Sequence, residues 1–328
     1  MPSFFQVPGP ASRARGSDAR SRTRARRWRA RGRRAQVAPV ATVLGLLLVV
    51  TYIATYLSTT LPNQMSVNDL NHDLLVQNQV GQVSVVTDQI ALAGAVGGQQ
   101  VFPISLGSAG TPPFAGPDGA EILPLINYTG GSYGVYVNYS ITSAHGTVAL
   151  SATSVPGAGF VVGLRNTYAS ASEVAYDDGA VVFAQPGGVP TMADPPAITL
   201  STAGTLSIVL PTFTNPIGVE SGTSLATIGL RLTSFQSVAL PISGYALASV
   251  PVTITVFTPY AAAWLNYFAA QPSFASATIT CTPTAVGPQS VCSTSNLYEP
   301  GQAIGKVTIS VSPSALALTQ GYFAVTLG

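Results

Sequence analysis

The chain is expected to be an α+β protein: one long N-terminal hydrophobic α-helix with an amphipathic extension, followed by a mainly antiparallel β-sandwich-like head. Three observations predict this. Val37 to Leu57 is a run of 21 residues without a charge, and a helix needs about 20 apolar residues to cross a bilayer core. A helical spacing of apolar residues then continues as far as Leu92. After Gly94, Gly97 and Gly98 the pattern changes to short alternating runs separated by Gly, Pro and Asn, the punctuation of a β domain. At 328 residues the chain is long enough to bury a sizeable core.

Four segments follow from this: a basic cytosolic leader over 1–35, a transmembrane helix over 36–62, an amphipathic helix over 63–96, and an extracellular β-rich head over 97–328. The leader holds 11 of the 14 Lys and Arg residues, all Arg, against Asp18 alone. Its composition is that of a disordered segment. Basic tails also bind nucleic acid, but this one stands directly before a spanning run, the arrangement of a positive-inside anchor. Beyond residue 35, Arg165, Arg231 and Lys306 face 11 acidic residues, a net of −8. Charged residues make up 8% of the chain, against about 25% usually. The head surface must therefore be made polar by Ser, Thr, Asn, Gln and Gly.

In the spanning run, Pro39 falls in the first turn, where its missing donor costs nothing. Tyr52 and Tyr56, at i and i+4 near the outer end, suit an aromatic belt. Gly45 lies in the middle. Glycine there costs about 1 kcal/mol relative to alanine in water, but in lipid or a helix bundle it lets backbones approach closely. It is the expected helix-packing residue. Pro62 is expected to interrupt the helix. From Met65 to Leu92 the spacing predicts a buried stripe of Val67, Leu70, Leu74, Val76, Val80, Val83 and Ile90. The other face, with Asn68, Asp69, Asn71, Asp73, Gln77, Gln79, Gln82 and Asp88, is expected in water, and His72 with it.

In the head, strands are expected at Tyr133–Ile141, Thr147–Ser151, Gly159–Arg165, Ala197–Ser201, Thr205–Leu210, Ser224–Leu232, Val250–Thr258, Ser276–Thr280, Lys306–Val311 and Tyr322–Leu327. Glu173–Phe183 reads as a hairpin turning at Asp178-Gly179. Leu106–Gly119 reads as a Pro/Gly-rich loop. Tyr260–Ala270 reads as a helix with Trp264, Tyr267 and Phe268 on one face, expected to pack in the core rather than to stack on a sugar.

Signals for chemistry are few. His72 and His145 have no His, Cys or Asp neighbours at ligand spacing, and His145 reads as a turn residue. Asp177-Asp178-Gly179 lacks the ligand pattern of a calcium loop. Nucleophile-elbow, zinc-protease and phosphate-loop patterns are missing. No catalytic residue, metal or cofactor is expected, and the chain is not read as an enzyme. Cys281 and Cys292 are expected to form a disulfide in an exported head, rather than a free or metal-bound pair. Asn127-Tyr-Thr and Asn138-Tyr-Ser are candidate N-glycosylation sequons.

The junction Arg33-Arg34-Ala35-Gln36, followed at once by the apolar run, resembles the class III leader of archaeal type IV pilins and archaellins. Tyr176-Asp-Asp-Gly-Ala-Val-Val and Thr258-Pro-Tyr-Ala-Ala-Ala-Trp-Leu-Asn-Tyr-Phe are also similar to parts of large archaeal pilin-like surface proteins. The resemblance implies cleavage by a prepilin peptidase between Ala35 and Gln36, handling by a pilus assembly platform, and packing of the helix against copies of itself in a filament core. Bacterial members carry Glu at the fifth mature position; here that residue is Val40, as in many archaeal members. The expected function is a structural subunit of a type IV pilus-like filament for adhesion or surface attachment. It would pass from a membrane-anchored precursor to an extracellular filament. An uncleaved single-span surface protein with a ligand- or glycan-binding head is the alternative. A secreted enzyme fits less well, because no Ala-x-Ala cut follows the apolar run.

Overall fold

The computed structural model of the protein describes residues 39–113, 115–125, 133–153, 159–283, 292, 298 and 304–328. The processing residues Arg33, Arg34, Ala35 and Gln36 and the sequon Asn127 lie outside them. Two compact units divide between Thr60 and Leu61.

In the first unit, α1 (residues 39–55) is followed by a π-helical turn, Tyr56–Thr60. The second unit begins with α2 (Leu61–Ala93). Helical residues thus run from Pro39 to Ala93, and Pro62 does not interrupt them as its type had suggested. A proline in a helix removes one i→i−4 donor. Gly94 ends the helix at φ +58, where an added Cβ would meet the Phe235 ring at 2.6 Å. The Gly97 amide donates to the Leu232 carbonyl at 2.8 Å, and the Leu232 amide donates to the Gly98 carbonyl at 3.0 Å, which ties the exit of the helix to the head.

The head strands are β1 (Gln99–Ser105), β2 (Ala120–Pro124), β3 (Gly134–Ser143), β4 (Gly146–Thr153), β5 (Gly159–Leu164), β6 (Ser172–Asp177), β7 (Ala180–Ala184), β8 (Thr191–Asp194), β9 (Ile198–Leu200), β10 (Thr205–Phe213), β11 (Glu220–Gly222), β12 (Leu225–Leu240), β13 (Tyr245–Leu247), β14 (Val252–Thr258), β15 (Thr278–Pro283), β16 (Gly305–Val311) and β17 (Ala315–Leu327), with α3 (Ala261–Ala270) after β14. The expected hairpin is β6–β7, and Asp178 (φ 52) and Gly179 (φ 91) form its turn. Strands β1, β2, β8, β11 and β13 were not expected. They are short or carry proline: Pro103 sits in β1, an edge strand, where a missing donor is tolerated.

The strands form three sheets rather than two. The first has the order β1-β12-β17-β10-β9, with β10 and β17 parallel. The second has the order β11-β2-β5-β6-β7-β8. In the third, β4-β3-β14-β16-β15, strand β13 follows β14 along the same side of β3. The first sheet supplies two cores. Ile104, Ile228, Leu230 and Phe323 pack with Val76, Val80 and Val83 of α2 and with Ile122, Val162 and Tyr176 of the second sheet. Leu206, Ile208, Leu316 and Leu318 pack with Val137, Ile254 and Ile309 of the third sheet and with Trp264 and Phe268 of α3. A third cluster joins Val161 and Val182 to Tyr133, Tyr260 and Tyr298. Trp264 and Phe268 are core residues, as expected, and Tyr267 packs partly buried beside them.

Candidate functional site

The apolar run is the first candidate surface. Along α1 and the π turn, Val43, Leu44, Leu46, Leu47, Leu48, Val49, Val50 and Tyr52 are exposed, and the most apolar 18-residue window has a mean hydropathy of 2.2. Its hydroxyls are not left open. Thr51 Oγ1 donates to the Leu47 carbonyl at 2.8 Å, Thr55 to Thr51 at 2.9 Å and Thr59 to Thr55 at 2.7 Å. Each is satisfied one turn back within its own helix, so the surface presented outward is apolar. At Gly45 nothing lies within 4 Å of where a Cβ would stand.

Helix α2 faces two ways, and its faces are partly the reverse of the expectation. Val76, Val80 and Val83 are buried as expected, but Val67, Leu70 and Leu74 are exposed, together with Leu75, Val85 and Leu92. The buried face continues toward the N-terminus through Asp73, His72, Asp69 and Met65. His72 is therefore not solvated. Burial of these polar groups is stable only because they are bonded. Asp69 Oδ2 accepts from the amides of Tyr168 and Ala169 at 3.1 and 3.2 Å. Asp73 accepts from Asn166 Nδ2 at 3.0 Å through one oxygen and from Ser172 Oγ at 2.8 Å through the other. His72 Nε2 donates to the Ser105 carbonyl at 2.9 Å, and the Ser105 amide donates to Gln79 Oε1 at 2.9 Å. Burial raises the Asp73 pKa, and the bonds from Asn166 and Ser172 oppose that rise. This polar seam fastens the helix to the loop 165–172 and to β1 and β6. The valine stripe, extended backward in steps of three and four, lands on these same residues; that was the available signal.

Farther along, Ser84 Oγ donates to the Gly179 carbonyl at 2.6 Å. Burial, then the nearby Asp194 carboxylate, lifts the Asp88 pKa to about 7. A groove of about 640 Å³ runs beside this part of α2, lined among others by Gln77, Asn78, Gly81, Gln82 and Asp194.

Two further buried carboxylates organise the head. Asp177, at the end of β6, accepts from Tyr133 OH at 2.6 Å, Thr258 Oγ1 at 2.6 Å and Trp264 Nε1 at 2.8 Å. It holds the second sheet, the third sheet and α3 to one point. Glu173 accepts from the Tyr298 amide at 2.7 Å, and burial raises its pKa to about 7 against the pull of that amide and of the Tyr260 hydroxyl. Both groups hold the fold together.

The remaining sequence candidates fall apart in space. Cys281 of β15 is bonded to Cys292, with Cα atoms 6.1 Å apart. Asn138 is exposed on β3. His145 sits in the β3–β4 turn, its amide donating to Ser143 Oγ at 3.2 Å. Among the described residues no three His, Cys, Asp or Glu side chains are grouped to hold a metal ion. Comparisons with protein-family models, curated proteins and solved structures find no match to this chain.

Proposed function

We propose that this chain is a structural subunit of a type IV pilus-like surface filament. The observation that carries the proposal is the extent of exposed apolar helix. Exposed apolar side chains begin at Val40 and recur through Leu57, Val67, Leu70, Leu74 and Leu75. Residues 39–60 alone correspond to about 33 Å of helix at 1.5 Å per residue, already the thickness of a bilayer core of about 30 Å, so the exposed apolar residues of α2 come in addition to a full span. One bilayer covers the first part and leaves Leu70 and Leu74 in water. A bundle of copies of the same helix covers all of it.

Cutting at Ala35–Gln36 would release the helix for that transfer, because 11 arginines cannot be drawn through lipid. The polar seam of α2 keeps each β head attached while the opposite stripe is given to neighbours. The test is the N-terminus of material sheared from the cell surface. A peptide beginning at Gln36 is expected. Protein that keeps Met1 and leaves the membrane only with detergent would overturn the proposal in favour of an anchored monomer.

A further inference from the structure

We propose that the outer face of the third sheet binds a neutral polysaccharide; this names the partner of an adhesive head and rests on the filament reading only for the head's outward placement. The inner face of that sheet is the buried row of Val137, Ile254, Ile309 and their neighbours. Alternation puts hydroxyls and an amide on the other side. The register aligns Thr278, Ser310, Thr253, Asn138 and Ser151 in one row across five strands. The next row runs Thr280, Thr308, Thr255, Tyr136. Neighbouring strands stand about 4.8 Å apart and same-face residues about 6.7 Å apart along a strand, so the face is a regular lattice of donors and acceptors.

The two sides of the lattice are open, and Thr253, Thr308 and Ser310 between them are half-buried. Thr278, Thr280 and Asn138 are exposed, and their side chains make no hydrogen bond to any described residue. At the centre of the lattice Thr255 is only 7% exposed, and its hydroxyl likewise has no partner among the described residues. At one end the face carries an aromatic corner. Tyr136 meets Phe257 edge-on, with centroids 5.3 Å apart, and Lys306 Nζ lies 5.9 Å from the Phe257 centroid.

Charge and polarity select the ligand. Nucleic acid is bound through several phosphate contacts, and Lys306 is the single cation in the strands of this sheet. A protein interface needs apolar or aromatic anchors at its centre, and here the centre is threonine. These strands hold no carboxylate, although the chain beyond residue 35 carries 11. A neutral hydroxylated chain meets all three features: it exchanges hydrogen bonds with the lattice, stacks its apolar ring faces on the aromatic corner, and needs no counter-charge.

Affinity electrophoresis of the full chain in detergent tests this, through gels containing a neutral glucan, mannan or galactan, with alginate as the acidic control. At least one neutral polymer is expected to retard the protein and alginate is not. Thr280→Glu and Thr308→Glu should each weaken the retardation about tenfold, the scale of one or two lost hydrogen bonds, with unchanged thermal unfolding. Gln236→Glu, exposed on β12, should have no effect. Chain produced in a bacterial host without N-glycosylation carries no glycan on Asn138 and should be retarded equally. No retardation in any neutral polymer, retardation indifferent to both face variants, or loss in the unglycosylated chain would overturn the proposal; the last result would assign binding to an Asn138-linked glycan. If Thr308→Glu does not fold, Thr280→Glu at the exposed edge decides alone. A chain that binds but keeps Met1 refutes the filament reading and leaves this inference standing.

Discussion

Asp73 and Leu74 are chain neighbours on α2, and the structure predicts that the carboxylate matters for folding and the leucine does not. Asp73 is 5% exposed and bonds Asn166 and Ser172, whereas Leu74 is 58% exposed. Asp73→Ala strands the Ser172 hydroxyl, which is fully buried, while Asn166 keeps its bond to the Ser170 carbonyl. A buried hydroxyl left without a partner costs about 1–3 kcal/mol. Losing the bond to Asn166 adds to this, and relief from burying a carboxylate offsets part of it. The expected net loss is about 2–3 kcal/mol, or a fall in Tm of about 3–5 °C for a chain of this size. Asp73→Asn keeps the shape and lets the Ser172 hydroxyl turn to accept, so it should cost under about 1 kcal/mol. Leu74→Ala should stay within about 0.5 kcal/mol, yet deplete sheared filaments. Thermal unfolding of the full chain in detergent, read through buried Trp264, measures all three. Leu74→Ala costing as much as Asp73→Ala would mean that the helix docks through its apolar stripe after all.

At the head's hub, Asp177→Ala leaves Trp264 Nε1 and the Thr258 hydroxyl unpaired and should cost about 3–5 kcal/mol; Asp177→Asn, which can still accept from both, should cost far less, and denaturant midpoints decide. Burial raises Asp88 and Glu173 to about 7 in the folded chain, above an unfolded carboxylate near 4, so the folded state holds more protons between those values. Stability should therefore fall as pH rises from about 4 to about 7, and Asp88→Asn with Glu173→Gln should flatten that slope in a pH series of melts. Gly45→Leu should leave membrane insertion intact, since nothing crowds the site within one chain, and should deplete sheared filaments by blocking close helix contact; normal filament yield would remove the packing role. Alkylation of unfolded, unreduced protein should label neither Cys281 nor Cys292, and replacing both with serine should cost about 2–3 kcal/mol for a loop this short.

Much of the architecture was legible in the chain because it depends on local order. A charge-free run of bilayer length, the change from helical to alternating spacing at Gly94, and the Asp178-Gly179 turn are properties of neighbours in sequence, and the structure contains all three. The cysteine pairing followed from proximity in sequence and the expectation that the head is exported. What the sequence alone could not decide was which face of α2 the head would take. Apolar count favoured Val67, Leu70 and Leu74, but a carboxylate can be buried when a folded loop aims amides and hydroxyls at it, and Asn166, Tyr168, Ala169 and Ser172 stand about a hundred residues away in the chain. The number of sheets was hidden for a related reason. Strands such as β1 and β13 are held by partners far along the chain, Gln99 by Arg231 and Tyr245 by Ser143, so their own residues show little of a pattern. Sequence by itself determined the long apolar helix, the change to β structure and the tight turn; only tertiary structure decided which weak strands form and which face of α2 is buried, because burying a polar group or pairing a weak strand is favourable solely in the presence of the groups that satisfy it.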